Sequence, residues 1–154
     1  MDQSAQGADP SEGWHALGAV GLALLIMGSV DILLAWIPLR IGDPEWEFGT
    51  ISATLNNMPV PSMGLALILS HAAAQGNKTE LAAVALWCVI VVLVLVGAAV
   101  LYALDVPMAL RAVQGDVPRR ALRAAMIKAG AAFVVYLAFH LWSIFYSVRT
   151  FRRP

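Results

Sequence analysis

An all-α integral membrane protein, with four transmembrane helices and an amphipathic interfacial helix between the first two, is the fold class this sequence predicts. Three observations carry it. Of 154 residues, 60% are hydrophobic and only 13% charged, too little polar matter to clothe a soluble domain of that length. The apolar residues fall in runs close to the roughly 20 that a helix needs to cross hydrocarbon. One segment, RIGDPEWEFGTISATLNNMPVPSMGLAL at 40–67, interrupts the runs with carboxylates and prolines.

Residues 1–12 read as a polar tail, and 13–148 as a single membrane domain. No basic residue precedes the first apolar run, so that run reads as a retained anchor, not a cleaved signal. The first span is expected at 14–37, with Trp14 and Trp36 as interfacial aromatics and Pro38 closing it.

Asp43-Pro44-Glu45 then has the form of a helix start: an N-cap acceptor, proline in the first turn and acids near the positive end of the dipole. From there Phe48, Ile51, Leu55 and Met58 recur at helical spacing, with Trp46 beside them. Glu47, Thr50, Thr54 and Asn57 take the other face. This predicts an interfacial helix at 44–58 that lies on the membrane surface, too polar to cross it. Pro59 and Pro61 break it and turn the chain into a second span at 61–75, short enough to be a tilted crossing or part of a re-entrant hairpin.

A polar turn, Gly76-Asn77-Lys78-Thr79, follows. Thr79 is expected to cap the next helix, a reading preferred to the glycosylation sequon that the same residues spell. The third span, 81–104, holds no charge until Asp105. The connection 105–128 is expected to form a short helix ended by Gly115 and a second started at Asp116-Val117-Pro118, which feeds the fourth span at 129–148. Residues 149–154 form a basic tail.

Charge settles little about partners, since Lys+Arg and Asp+Glu number ten each. No phosphate-binding loop or basic-aromatic patch points to nucleic acid. Arg111, Arg119, Arg120, Arg123 and Lys128 make a basic patch suited to lipid phosphates or an acidic partner. By the positive-inside rule that patch and Arg40 put the two long connections in the cytoplasm, against the opposing bias of the C-terminal tail.

Asp31 is the ionisable residue inside a span, and such a residue marks a functional or inter-helix contact. His71 and His140 are candidate ligands for a haem or a chlorophyll-type pigment, alone or as two facing axial histidines, against the alternative of helix–helix hydrogen bonds. No cofactor follows from the sequence beyond that candidacy, and bound lipids are expected. Cys88, the single cysteine, reads as a small buried hydrophobe. Ser70 and His71 are adjacent and so diverge on a helix, and no other nucleophile–base pair emerges. The chain is not expected to be an enzyme. Gly18, Gly21 and Gly28, and the alanines 121, 125 and 129, offer flat surfaces for close helix approach.

Three spaced elements, DILLAWIPLR (31–40), DPEWEF (43–48) and PVPSMGLAL (59–67), resemble HpsJ-like small membrane proteins over roughly residues 28–70, with a weaker echo in LYALDVPMALRAV. Asp43 departs from an expected asparagine and Ser62 interrupts an expected leucine pair. The resemblance implies a mainly cyanobacterial family whose genes lie near those for extracellular polysaccharide production and exosortase-type sorting. It implies no catalytic residues.

Function is therefore expected to be that of a non-catalytic accessory subunit of a larger membrane complex, photosynthetic or respiratory, in a bacterial cytoplasmic or intracytoplasmic membrane. The alternatives are an auxiliary factor in polysaccharide export or sorting, and a small transporter or pigment-binding protein.

Overall fold

The structure, a computed structural model, describes residues 10–112 and 115–152. Among these it is all helix: α1 (Pro10–Ala35), α2 (Pro44–Asn57), α3 (Pro59–Gln75), α4 (Lys78–Ala112) and α5 (Asp116–Phe151). Three of the five, over Gly13–Ala35, Lys78–Arg111 and Arg119–Phe151, are long and apolar enough to cross a membrane. These cover residues 14–35 of the first expected span, stopping two residues short of position 37, and all of the third and fourth. The N-terminal tail lies outside the described residues up to position 9, as do Arg153 and Pro154 of the C-terminal one.

The expected short helix between Asp105 and Gly115 does not exist separately. α4 continues through Asp105 and Pro107 to Ala112, and α5 begins at Asp116 behind Gly115, whose φ of 93° favours glycine. A proline costs its own N–H bond, but an otherwise sound helix on a partner helix survives that loss. Likewise α5 runs on to Phe151, so the basic tail is in large part its last turn.

Caps fix the other boundaries. Asp43 accepts from the Glu45 and Trp46 amides at 3.1 and 3.4 Å, as its position predicts. Gly76, at φ 63°, closes α3. α4 is capped by Asn77, whose Oδ1 accepts from the Glu80 amide at 3.3 Å, and not by Thr79, which falls inside the first turn. Asparagine reaches the third amide just as well, and the two-residue turn puts it in the cap position.

α2 and α3 are separated by Met58 alone, itself right-handed helical (φ −54°, ψ −31°). Its amide donates to Thr54 O at 3.0 Å and its carbonyl accepts from Ser62 N at 3.1 Å, so helical bonding carries across the break. Pro59 and Pro61 supply no amides for the carbonyls four residues back, which is what interrupts the helix. The result is one broken helical run from 44 to 75, antiparallel to both α1 and α4.

Its two halves pack in register. Leu65, Leu69 and Ala72 meet Leu81, Val84 and Cys88. Ile51, Leu55 and Met58 meet Leu95 and Ala98, with Ala129, Ala132, Phe133 and Tyr136 of α5 around them. This corrects the expected placement of the amphipathic stripe, which covers other helices of the chain and not acyl chains: Ile51, Leu55 and Met58 are 2%, 6% and 4% exposed. Phe48 stacks against Tyr102 at 4.9 Å between centroids, and Trp46 meets Trp36 edge-on at 5.8 Å. The periodicity identified the apolar face but carried no information about what covers it.

On α1, glycines face α3. A Cβ on Gly21 would fall 2.8 Å from Gly64 O, and one on Gly28 would collide with Pro61. Backbones approach this closely only where side chains are missing, which is how helices associate without a hydrophobic drive between them. α1 makes no comparably close backbone approach to α4 or α5 among the described residues, so a cleft opens between α1 and α4.

The bundle is inside-out by the standards of a soluble protein. His140, Ser143 and Ser147 make the buried face of α5, while Val134, Val135, Trp142 and Phe145 point outward. In water this arrangement would be ruinous; against hydrocarbon it is the stable one.

Candidate functional site

Four groupings of polar side chains stand out, and each was only partly visible in the chain order.

The first is Asp31, on the outer face of α1. It is exposed, flanked by Met27, Val30 and Leu34, which are exposed as well, and no residue among those described bonds to it. The inter-helix hydrogen bond its position suggests is therefore not made among the described residues. α1 turns its glycines to α3, while Asp31, one turn on from Gly28, is exposed.

The second is a pair of carboxyls that sequence reading left unpaired. Glu47, placed on the polar face of α2, and Asp105, at the end of the apolar run of α4, are neighbours across the α2–α4 contact, close enough for their charges to interact. Both are buried, at 4% and 9% exposure. The Gly42 amide donates to Glu47 Oε1 at 2.7 Å, tying the α1–α2 loop to the pair, while Asp105 Oδ2 is buried without a partner. Antiparallel pairing of α2 and α4 brings them together, and that pairing was the missing signal. Nearby, Thr50 Oγ1 donates to Ala35 O at 3.3 Å and Trp36 Nε1 to Thr54 Oγ1 at 2.9 Å, pinning the end of α1 to α2.

The third, at the opposite end, joins His15, His71 and Glu80. His71 Nε2 is 3.7 Å from Glu80 Oε2, and the His15 and His71 rings are 5.7 Å apart. They line a cavity of ≈ 470 Å³ in the α1–α4 cleft. His71 thus faces His15 and not His140.

The fourth is His140, 2% exposed. Its Nδ1 is 2.8 Å from Tyr136 O; a carbonyl only accepts, so Nδ1 carries the proton and Nε2 keeps the lone pair of the neutral ring. The ring lines a second cavity of the same cleft, ≈ 380 Å³, beside the α2–α3 break.

Arg111, Arg119, Arg120, Arg123 and Lys128 are all exposed. The α4–α5 hairpin gathers the first four near its tip, beyond the Glu47–Asp105 level. Lys78, Arg149 and Arg152 belong to the other end, where Lys78 Nζ sits 5.8 Å over the Phe151 ring. Among the described residues no group of three or more His, Cys, Asp or Glu side chains is placed to hold a metal ion.

These features define a small helical bundle with an apolar exterior, polar seams and three helices able to cross a membrane. The chain belongs to the HpsJ-like family, whose model matches residues 14–119. The match extends well past the 28–70 stretch that carried the resemblance, across α4 and into α5. No curated protein and no solved structure matches the chain.

Proposed function

We propose that this chain is a non-catalytic accessory subunit of a larger bacterial membrane assembly, and that the outer face of α1 docks on a partner helix. The observation that carries the reading is Asp31. A short carboxylate on the exposed face of an apolar helix, with no partner among the described residues, is costly and is relieved by a donor or cation from elsewhere. The surrounding Met27, Val30 and Leu34 supply apolar contact around that one polar point. In this reading the chain crosses four times, the second crossing being the broken run 44–75 with α2 toward the headgroups, and the basic hairpin tip lies in the cytoplasm.

Gentle detergent extraction of the native membrane tests it. The wild-type chain is expected to co-purify with other membrane subunits, and Asp31→Leu to lose them while the isolated variant keeps its helicity and thermal stability. Recovery of the wild-type chain alone from every mild extraction would overturn the reading.

Family membership favours a second reading, an auxiliary role in extracellular polysaccharide export or exosortase-type sorting. It is compatible with the first if the partner belongs to that machinery. A deletion strain with unchanged exported polysaccharide and unchanged sorting would remove it.

A further inference from the structure

The cavity beside the α2–α3 break is chemically lopsided. Its walls come from α1 and α4 and include Trp36, Trp87 and Ile90, with Met58 and Pro61 at the break. The polar groups on those walls are already committed: Trp36 Nε1 to Thr54 Oγ1, Thr54 Oγ1 to Thr50 O, and Ser29 Oγ to Leu25 O. His140 and the indole N–H of Trp87 are the exceptions. With Nδ1 engaged by Tyr136 O, Nε2 has no partner among the described residues and lines the cavity. An acceptor left bare in an apolar space is costly, and a hydrogen-bond donor on an otherwise apolar body is its complement.

Shape narrows the class. At ≈ 380 Å³ the cavity falls within the roughly 300–1,000 Å³ of small-molecule sites, and it opens between α1 and α4 on the apolar flank of the bundle. A ring that is only 2% exposed is reached by a slender group; a broad macrocycle laid across Nε2 would need the flanking helices to part. Water alone would satisfy Nε2 but leave the apolar walls unfilled.

We propose that this cavity binds a slender lipid-soluble molecule bearing one free hydroxyl, whose O–H donates to His140 Nε2 while its apolar body lies against Trp36 and Trp87. Phenolic and aliphatic alcohols share that chemistry, and the test separates them.

The full chain, in detergent micelles, is titrated with 4-decylphenol, with farnesol, and with the methyl ethers of both, and the thermal unfolding midpoint is read at each concentration. At least one alcohol is expected to raise the midpoint saturably and to bind roughly three- to tenfold more tightly than its own ether, the size of one lost hydrogen bond. Which alcohol does so identifies the class. In His140→Phe the alcohol and its ether are expected to become equivalent. If that variant fails to fold, the alcohol–ether comparison on the unaltered chain still decides. Equal binding of each alcohol and its ether, as for an acyl chain that merely fills the cavity, overturns the proposal, and so does the absence of any shift.

Discussion

α1 and α2 are joined by eight residues and each buries one face against the rest of the bundle, yet their outer faces differ completely. Outside α1 are Met27, Val30, Leu33 and Leu34, broken only by Asp31. Outside α2 are Glu45, Gly49, Ser52 and Asn56, four positions spaced for one helical face and none of them apolar in bulk. Burial alone would group the two helices together. Their exteriors separate them, because the exterior is what meets the solvent: α1 suits hydrocarbon, α2 suits headgroups or water.

The largest expected contrast tests that division directly. Cys88 is fully buried and is the single cysteine, so added cysteines report without background. In proteoliposomes Ser52→Cys is expected to react with a membrane-impermeant maleimide, and Leu34→Cys to be at least about tenfold slower, as a thiol in hydrocarbon is neither ionised nor reached. Equal rates would erase the distinction between the two helices.

Next in size is the seam on the inner face of α1. A Cβ on Gly64 would lie 2.5 Å from both Gly21 O and Leu25 N, backbone atoms that no rotamer change can move aside. Gly64→Leu is expected to cost about 3 kcal/mol and to dislodge α1, seen in thermal unfolding and in loss of the Trp36–Thr54 bond. The same exchange at Gly130, where nothing lies within 4 Å of a Cβ, serves as the neutral control.

The smallest pair of effects concerns α2. Glu47→Ala strands the Gly42 amide and empties the space beside Asp105, for an expected loss of about 1–3 kcal/mol. Glu47→Gln keeps an acceptor for Gly42 and gains a donor toward Asp105, so its stability is expected to match wild type within about 0.5 kcal/mol, as measured by unfolding in detergent. If both variants behave alike, the carboxyl pair does not hold α2 to α4.

Much of the fold could be read in advance because its causes are local. Asp43-Pro44 starts α2, Gly76 ends α3, and three apolar runs have the length of a membrane crossing. What escaped was everything that depends on pairing between distant segments. Pro59 and Pro61 marked a break correctly, but continuation of the helix through Met58 depends on α1 and α4 flanking both halves. The stripe Ile51–Leu55–Met58 was legible as apolar, while its burial against Leu95 and Ala98 was not. Glu47 and Asp105 are 58 positions apart and carry no mark that they meet. His140 was identifiable as unusual; that its lone pair faces a cavity required the Tyr136 carbonyl and the gap beside Pro61.

The glycine contacts between α1 and α3 also bear on how the chain is made. α3 is 17 residues long and follows a segment carrying two acids, a weak signal for an insertion machine that samples hydrophobicity one stretch at a time. α1 leaves the ribosome first, long and oily, with a row of bare backbone already turned toward the place α3 will occupy. Entry of α3 into the bilayer as one arm of a helical hairpin with α1, before α4 is synthesised, would let the earlier helix act as the chaperone of the later one.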